Sequence, residues 1–450
     1  MCKINILSLG CAKNLVDSEV MTGMLRKAGY EITETQEGAD LLIINTCGFI
    51  ADAKEESVDA LLEAVKLKNQ GSCRAVVAAG CLAQRYSGEI LQEIPEIDCI
   101  IGTGEVPSIV RVVKAAADGQ KMMCVSAAPS FIYNHNMPRE LLTPPYSAYI
   151  KVAEGCNNRC TYCVIPQIRG EYRSRKMESI IAEAQRLAET GVREINLIAQ
   201  DTTRYGLDIY GEYKLNELLQ ELSEINGLEW IRILYAYPNH FTHSLIEAIA
   251  ANDKICKYLD IPLQHADDYI LSKMNRHGRT EDLLNLIKKI RQNIPGVALR
   301  TSLIVGFPGE TDKEYQTLVD FVKKVHFDHM GVFVFSPEEG TPAAEMAGQV
   351  PDDIKEYRKD RLMNIQQEIS YAKNIAKIGQ IISVLIEGKV ETGPELSELY
   401  VGRTEYDAPE VDGTVSVMGV NLNPGDIVPV KITHAYDYDL IGEVINESPQ

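Results

Sequence analysis

Cys156, Cys160 and Cys163 fall within eight residues, in the run Glu154-Gly155-Cys156-Asn157-Asn158-Arg159-Cys160-Thr161-Tyr162-Cys163, directly after the apolar stretch Tyr149 to Ala153. Short spacing gathers three soft thiolates in one loop, and a loop at a strand end needs a rigid sheet to hold it. Structural tetrahedral sites use four ligands, so a trio without a neighbouring fourth Cys or His describes a centre with one position open. Iron and sulfur fit that best. Zinc is the alternative and would need a fourth ligand, for which His265 or Cys256 are the candidates. Three more cysteines, Cys11, Cys47 and Cys81, are distant in sequence but alike in context. Each follows a short strand candidate, in Leu9-Gly10-Cys11, Asn45-Thr46-Cys47 and Ala79-Gly80-Cys81. Ligand crevices of open α/β sheets lie at the carboxyl ends of the strands, so these three are expected to converge as a second three-thiolate site.

The hydrophobic pattern supplies the sheets. Strands are expected at Ile4–Leu9, Leu41–Asn45, Ala75–Ala79 and Cys99–Ile101, with helices such as Val16–Ala28 and Ala53–Lys68 between them. That alternation predicts an N-terminal doubly wound parallel sheet over residues 1–136. Met137 to Pro145 is proline-rich and reads as a linker. A second alternation follows, with strands at Tyr149–Ala153, Glu194–Ile198, Trp230–Ala236, Tyr258–Leu263, Leu299–Val305 and Met330–Phe335. Six units are too few to close an eight-stranded barrel, so residues 137–378 are expected to form an open, partial (βα)6 barrel ending in a long charged helix, Pro351–Ile378. Short β-rich runs, Ile381–Ile386, Val411–Val417 and Ile427–Thr433, with a turn at Asn423-Pro424-Gly425-Asp426, predict a small all-β domain over 379–445.

Composition narrows the class. A chain of 450 residues with 45% apolar and 24% charged residues is long enough for two or three globular domains. No apolar run approaches a membrane span and the N-terminus lacks a signal-peptide pattern, so a cytoplasmic protein is expected, with no membrane partner. The 11 cysteines are then read as metal ligands and, for Cys2, Cys73, Cys99, Cys124 and Cys256, as small buried hydrophobes, instead of a disulfide framework. The net charge of -19 argues against a broad phosphate-binding footprint. Between Gly379 and Glu443 there are 12 acidic against 3 basic residues, an excess of nine that favours a basic partner. His240 and His243, spaced to share a helix face, lack a Cys or carboxylate in register and carry little signal for metal.

The Cys-x3-Cys-x2-Cys run at the first strand of a partial barrel resembles the radical S-adenosylmethionine superfamily. The upstream trio and the β-rich tail, similar to a TRAM domain, extend the resemblance to the methylthiotransferases over essentially the full chain. Ser8-Leu9-Gly10-Cys11-Ala12-Lys13-Asn14-Leu15-Val16-Asp17-Ser18-Glu19 resembles the branch that acts on a ribosomal protein; the branch acting on transfer RNA usually shows Gln-Met-Asn after the first cysteine. Ala12 stands where the branch commonly has proline, which loosens a turn and removes no ligand.

The resemblance implies two 4Fe-4S clusters and S-adenosylmethionine. One cluster, on Cys156, Cys160 and Cys163, passes an electron to bound S-adenosylmethionine and yields a 5'-deoxyadenosyl radical; the other, on Cys11, Cys47 and Cys81, carries the sulfur that is methylated and transferred. An external electron donor and a sulfur donor are required. The implied substrate is an aspartate of the twelfth protein of the small ribosomal subunit, a basic partner, with nucleic acid not expected as the primary substrate. No acid, base or nucleophile signal is needed, and none identifies a catalytic side chain. The resemblance also draws in Tyr162 for the adenine, Gln200 for the methionine amino end, and Gly306, in Leu303-Ile304-Val305-Gly306-Phe307-Pro308-Gly309-Glu310, for the adenine-contacting segment. Arg300 is read as facing the barrel interior and meeting a carboxylate. Each has a structural alternative: a buried loop tyrosine, an exposed strand-end glutamine, a turn glycine and a salt-bridged barrel arginine. The rival functions are a transfer RNA methylthiotransferase, which calls for a basic terminal domain, and a non-catalytic iron-sulfur carrier or scaffold, which has no use for the barrel.

Overall fold

The computed structural model describes residues 2–390 and 398–445. Its first sheet has six parallel strands: β1 (Lys3–Ser8), β2 (Glu31–Thr33), β3 (Leu41–Thr46), β4 (Ala75–Ala79), β5 (Cys99–Gly102) and β6 (Met122–Cys124), in the order β2-β1-β3-β4-β5-β6. The four expected strands form the middle; the two edge strands have only three residues each, too short to carry a periodic signal. Central strand β3 is buried along its whole length because helices cover both faces. Leu41 and Ile43 pack with Val16 and Val20 of helix α1 (Ala12–Lys27), whereas Leu42 and Ile44 pack with Leu61 and Ala64 of α2 (Ala51–Asn69). Burial of each such side chain contributes about 1.5–3 kcal/mol. Strand order reverses between β1 and β3, and that switch point is where Cys11 and Cys47 emerge.

The second sheet is also wholly parallel and open: β7 (Ser147–Lys151), β10 (Glu194–Ile198), β11 (Trp230–Ile233), β12 (Ile255–Asp260), β13 (Ala298–Val305) and β14 (His329–Val334), ordered β14-β13-β12-β11-β10-β7. These are the six expected strands, with boundaries shifted by a few residues. A small antiparallel pair, β8 (Ala153–Glu154) with β9 (Arg173–Ser174), follows β7 and frames the first cysteine loop. The long charged helix runs over Asp352–Ile375 and packs along β14.

The tail closes into a five-stranded barrel of β15 (Ile381–Val390), β16 (Leu399–Thr404), β17 (Val415–Met418), β18 (Ile427–Ala435) and β19 (Leu440–Val444). Two of its strands, β16 and β19, escaped the sequence reading, and the run expected from Val411 begins only at Val415. Gly402 in β16 and Gly442 in β19 dilute the alternation that marks a strand. Among the described residues no helix is long and apolar enough to cross a membrane.

The segment expected as a linker is irregular but not loose. Arg139 is buried and donates to Glu19 of α1 (Nη2 to Oε2, 2.6 Å), to Glu183 (Nη1 to Oε1, 2.6 Å) and to the Tyr149 carbonyl (2.6 Å), so it staples the first sheet to the second. Arginine's planar fork lets one side chain do this.

Candidate functional site

The first trio is assembled by strand ends. Cys11 is the N-cap of α1, Cys47 follows β3, and Cys81 lies in α3 (Gly80–Arg85) directly after β4. Gly10, at φ +84°, makes this approach possible: a Cβ there would lie 2.7 Å from Cys47 Cβ and 2.9 Å from its Sγ. Gly80, at φ +88°, has the same role toward Asn45 and Thr46. Asn14 fastens the cradle by donating to the carbonyls of Leu9 (3.0 Å) and Thr46 (2.8 Å).

Electrostatics differ among the three. Cys11 is exposed as a residue; the protein packed around its sulfur disfavours the thiolate, but the charges of Lys13 and Arg169 and the N–H groups of Asn14 and Lys13 outweigh this and lower the pKa. Burial pushes Cys81 up to about 12 although Arg169 Nη2 donates to its Sγ at 3.3 Å, and burial also raises Cys47. Lys13 is itself lowered to about 8, chiefly by burial.

Cys156, Cys160 and Cys163 occupy the loop between β8 and helix α6 (Ile165–Arg169). The Cys156 N–H donates to the Gly170 carbonyl (3.2 Å), and Thr161 is tied to Lys273 and Met274, so the loop is clamped at both ends. Arg276 Nη1 approaches Cys160 Sγ at 3.8 Å and the Tyr162 hydroxyl at 3.4 Å. Burial raises Cys156 to about 11 and drives Cys163 higher still.

The two trios are neighbours. Cys163 precedes α6 by two residues, while Cys81 packs on Val164 and Ile168 and accepts from Arg169 at the other end of that helix. Five helical residues rise only about 7.5 Å. Between the trios lies a buried ionic network: Lys151 Nζ donates to Asp17 Oδ1 and Glu154 Oε2 (2.6 Å each), Arg169 Nη1 reaches Asp17 Oδ2 (2.5 Å) and Glu154 Oε2 (3.4 Å), and Gln200 Nε2 donates to Glu154 Oε1 (2.7 Å).

Among the described residues no three His, Cys, Asp or Glu side chains form a group that could hold a metal ion. The fourth zinc ligands do not materialise. His265 Nε2 faces Glu310 Oε2 at 3.1 Å while its Nδ1 accepts from the Asp267 N–H, and Cys256 is buried beside Arg232 and Glu194 at the amino ends of the strands. His240 and His243 do not share a helix face, because a 3₁₀ turn ends at His240 and the helix starts at His243. Their partners are Asp201 and Glu247. All 11 cysteines are free thiols; Cys73, Cys99, Cys124 and Cys256 are buried and Cys2 is partly so.

The remaining predicted residues divide. Tyr162 lies edge-on to Phe307 (6.5 Å between centroids) in an apolar cluster with Met274 and Phe335 beside the cysteine loop. Gln200 donates to Glu154 and keeps a buried Oε1 that has no described partner. Gly306 has φ +73°, but a Cβ there would meet the Lys355 stem at 2.2 Å, so the glycine makes room for Lys355; its N–H donates to Glu310 Oε1 (3.0 Å). Arg300 faces the barrel interior and pairs with Asp260 (3.1 Å) and Asp412 (3.3 Å). Sequence reasoning passed over Lys13, Asp17, Lys151, Arg169, Tyr235, Asp260 and Arg276. One signal existed: α1 opens with Lys13, Asn14, Asp17, Ser18 and Glu19 mixed among apolar residues with no separate polar face, and all five are buried.

A parallel barrel that presents a three-cysteine loop at its first strand defines a radical S-adenosylmethionine enzyme, and comparison with known proteins agrees. Residues 150–322 match the model of the radical SAM superfamily, residues 3–102 that of "Uncharacterized protein family UPF0004", and residues 378–445 that of the TRAM domain. The chain is 52% identical to the ribosomal protein uS12 methylthiotransferase RimO of Pelotomaculum thermopropionicum, over 98% of this chain and 99% of that protein. With the RimO of Desulforamulus reducens the figure is 54%, over 99% and 100%. This chain belongs to the RimO family of radical S-adenosylmethionine methylthiotransferases. Among solved structures, the radical S-adenosylmethionine methyltransferase TsrM of Kitasatospora setae, with cobalamin and a 4Fe-4S cluster bound, shares the fold at TM-score 0.55 and 16% identity, covering 76% of this chain and 77% of that one.

Proposed function

We infer that this protein attaches a methylthio group to the β-carbon of an aspartate in ribosomal protein uS12. The reading rests on family membership over the full chain and on one geometric observation, the two cysteine trios bracketing helix α6. Cys156, Cys160 and Cys163 are proposed to hold a 4Fe-4S cluster that, with S-adenosylmethionine, supplies a radical able to take hydrogen from an unactivated carbon. Cys11, Cys47 and Cys81 are proposed to hold a second cluster that supplies the sulfur.

The chain's own side chains do the rest. Arg169 and Lys151, locked by Asp17 and Glu154, keep the two loops in fixed register, which shortens the path between hydrogen removal and sulfur delivery. Gln200, with its free Oε1, is positioned to accept from an ammonium such as that of the methionine moiety. Tyr162 and Phe307 offer an apolar wall for the adenine. The acid excess of the C-terminal barrel favours encounter with a basic ribosomal protein over a phosphate backbone. An external electron donor and a sulfur donor complete the cycle.

The test is anaerobic reconstitution with iron and sulfide, followed by incubation with S-adenosylmethionine, a reductant and uS12. Mass spectrometry should find one methylthio group on an aspartate. Alanine at Cys156, Cys160 and Cys163 should abolish 5'-deoxyadenosine formation, whereas alanine at Cys11, Cys47 and Cys81 should spare it and stop sulfur insertion. Identical behaviour of the two triple variants overturns the division of labour.

A further inference from the structure

Three cations of the site are committed to carboxylates. Lys151 and Arg169 each pair with Asp17 and Glu154, and Arg300 pairs with Asp260 and Asp412. Lys13 is 6% exposed and its Nζ stands 2.8 Å from the centroid of the Tyr235 ring, yet it makes no hydrogen bond or ion pair with any described residue. The ammonium of a largely buried side chain has three donors to satisfy, and a carboxylate is its natural acceptor. The nearby Glu154 and Asp260 carboxylates favour the ammonium without bonding to it, since Glu154 is taken by Lys151, Arg169 and Gln200, and Asp260 by Arg300 and the Tyr235 N–H (3.2 Å).

The residues that frame Lys13 come from both halves of the site. Cys11 lies two positions before it; Tyr235 follows β11, Asp260 ends β12 and Glu154 ends β8, all at the carboxyl ends of strands. Tyr235 holds φ at +60°, an uncommon value for a bulky residue, and this turns its ring under the ammonium.

We propose that Lys13 binds the side-chain carboxylate of the substrate aspartate, so that the site selects aspartate over a neutral side chain. The proposal rests on the uS12 reading above and adds the group that recognises the reacting residue. The β-carbon is one bond from the carboxyl carbon, so an anchored carboxylate fixes the reacting carbon between the trios. A charge-assisted hydrogen bond in a desolvated site is also the contact that discriminates most strongly between a carboxylate and an amide.

Anaerobically reconstituted protein is titrated, without reductant, with two uS12 loop peptides that differ only in carrying aspartate or asparagine at the modified position. The unaltered protein should bind the aspartate peptide roughly tenfold to a hundredfold more tightly. Lys13→Met and Lys13→Gln should lose that preference and bind both peptides like the asparagine form, with iron content reporting that each variant is folded and loaded. Equal binding of both peptides by the unaltered protein, or a preference that survives in either variant, overturns the role of Lys13. Failure of the unaltered protein to bind either peptide overturns the uS12 reading as well.

Discussion

Asp412 of the C-terminal barrel reaches into the lumen of the central one, where its Oδ1 lies 3.3 Å from Arg300 Nε. It also accepts from the Tyr258 hydroxyl (2.7 Å), and Arg300 passes the connection on to Asp260 at the carboxyl end of β12 (3.1 Å). A module appended by sequence is thus wired to the site by a buried ion chain. Asp412→Ala should destabilise the protein by about 1–3 kcal/mol, because it removes one of the two carboxylates that Arg300 pairs with and the acceptor of the Tyr258 hydroxyl. Arg300→Met in the same chain should cost much less than the sum of the single variants, as read by denaturant unfolding in a double-mutant cycle.

Glu194 gives the same seam a pH dependence. Burial alone would raise its carboxyl, but the guanidinium groups of Arg403 and Arg232 more than compensate and hold it near about 2. An unfolded glutamate titrates near about 4.3, so the folded value is depressed and the stabilisation is present above that pH. It is lost as pH falls from roughly 5 toward 2, by up to about 3 kcal/mol. Unfolding free energy followed across that window should drop more steeply for the unaltered protein than for Glu194→Gln.

Arg169 touches both halves of the site, bonding Asn14 (2.5 Å), Asp17 (2.5 Å) and Cys81 (3.3 Å) on one side and Glu154 (3.4 Å) on the other. Lysine keeps the charge but cannot make these contacts at once. Arg169→Lys should therefore retain the cluster of the barrel loop and 5'-deoxyadenosine formation, while iron and sulfide fall toward the content of a single cluster. An unchanged iron content would show that the upstream cradle does not depend on it.

Glu338 latches the first sheet to the loop after β14, accepting from Arg85 (2.6 Å) and Lys54 (2.7 Å), while Arg85 also donates to the Glu339 carbonyl (2.7 Å). Burial works against its charge, yet these bonds keep its pKa below the usual carboxylate range. Glu338→Ala leaves Arg85, which is nearly inaccessible, without a charge partner. Limited proteolysis should cut this variant faster between the two sheets, and methylthio transfer should fall more than cleavage of S-adenosylmethionine does.

Much of this protein is local, and that part could be read from the chain. Central strands such as Leu41–Thr46 and Glu194–Ile198 are short apolar runs between helices, and the three-cysteine loop needs only its own eight residues. Even the upstream cysteines announced themselves, because a parallel sheet puts every strand's carboxyl end on one edge. Strands interrupted by glycine or only three residues long carry too little periodicity, and β2, β6, β16 and β19 went unseen. What only the tertiary structure decided is the pairing of polar groups across modules: Arg139 with Glu19, Arg169 with Cys81, Asp412 with Arg300, and Lys13 left without an acceptor. Hydrophobic periodicity records which face of an element is buried but not what a buried charge will meet, since its partner lies on another element at a distance the sequence does not encode.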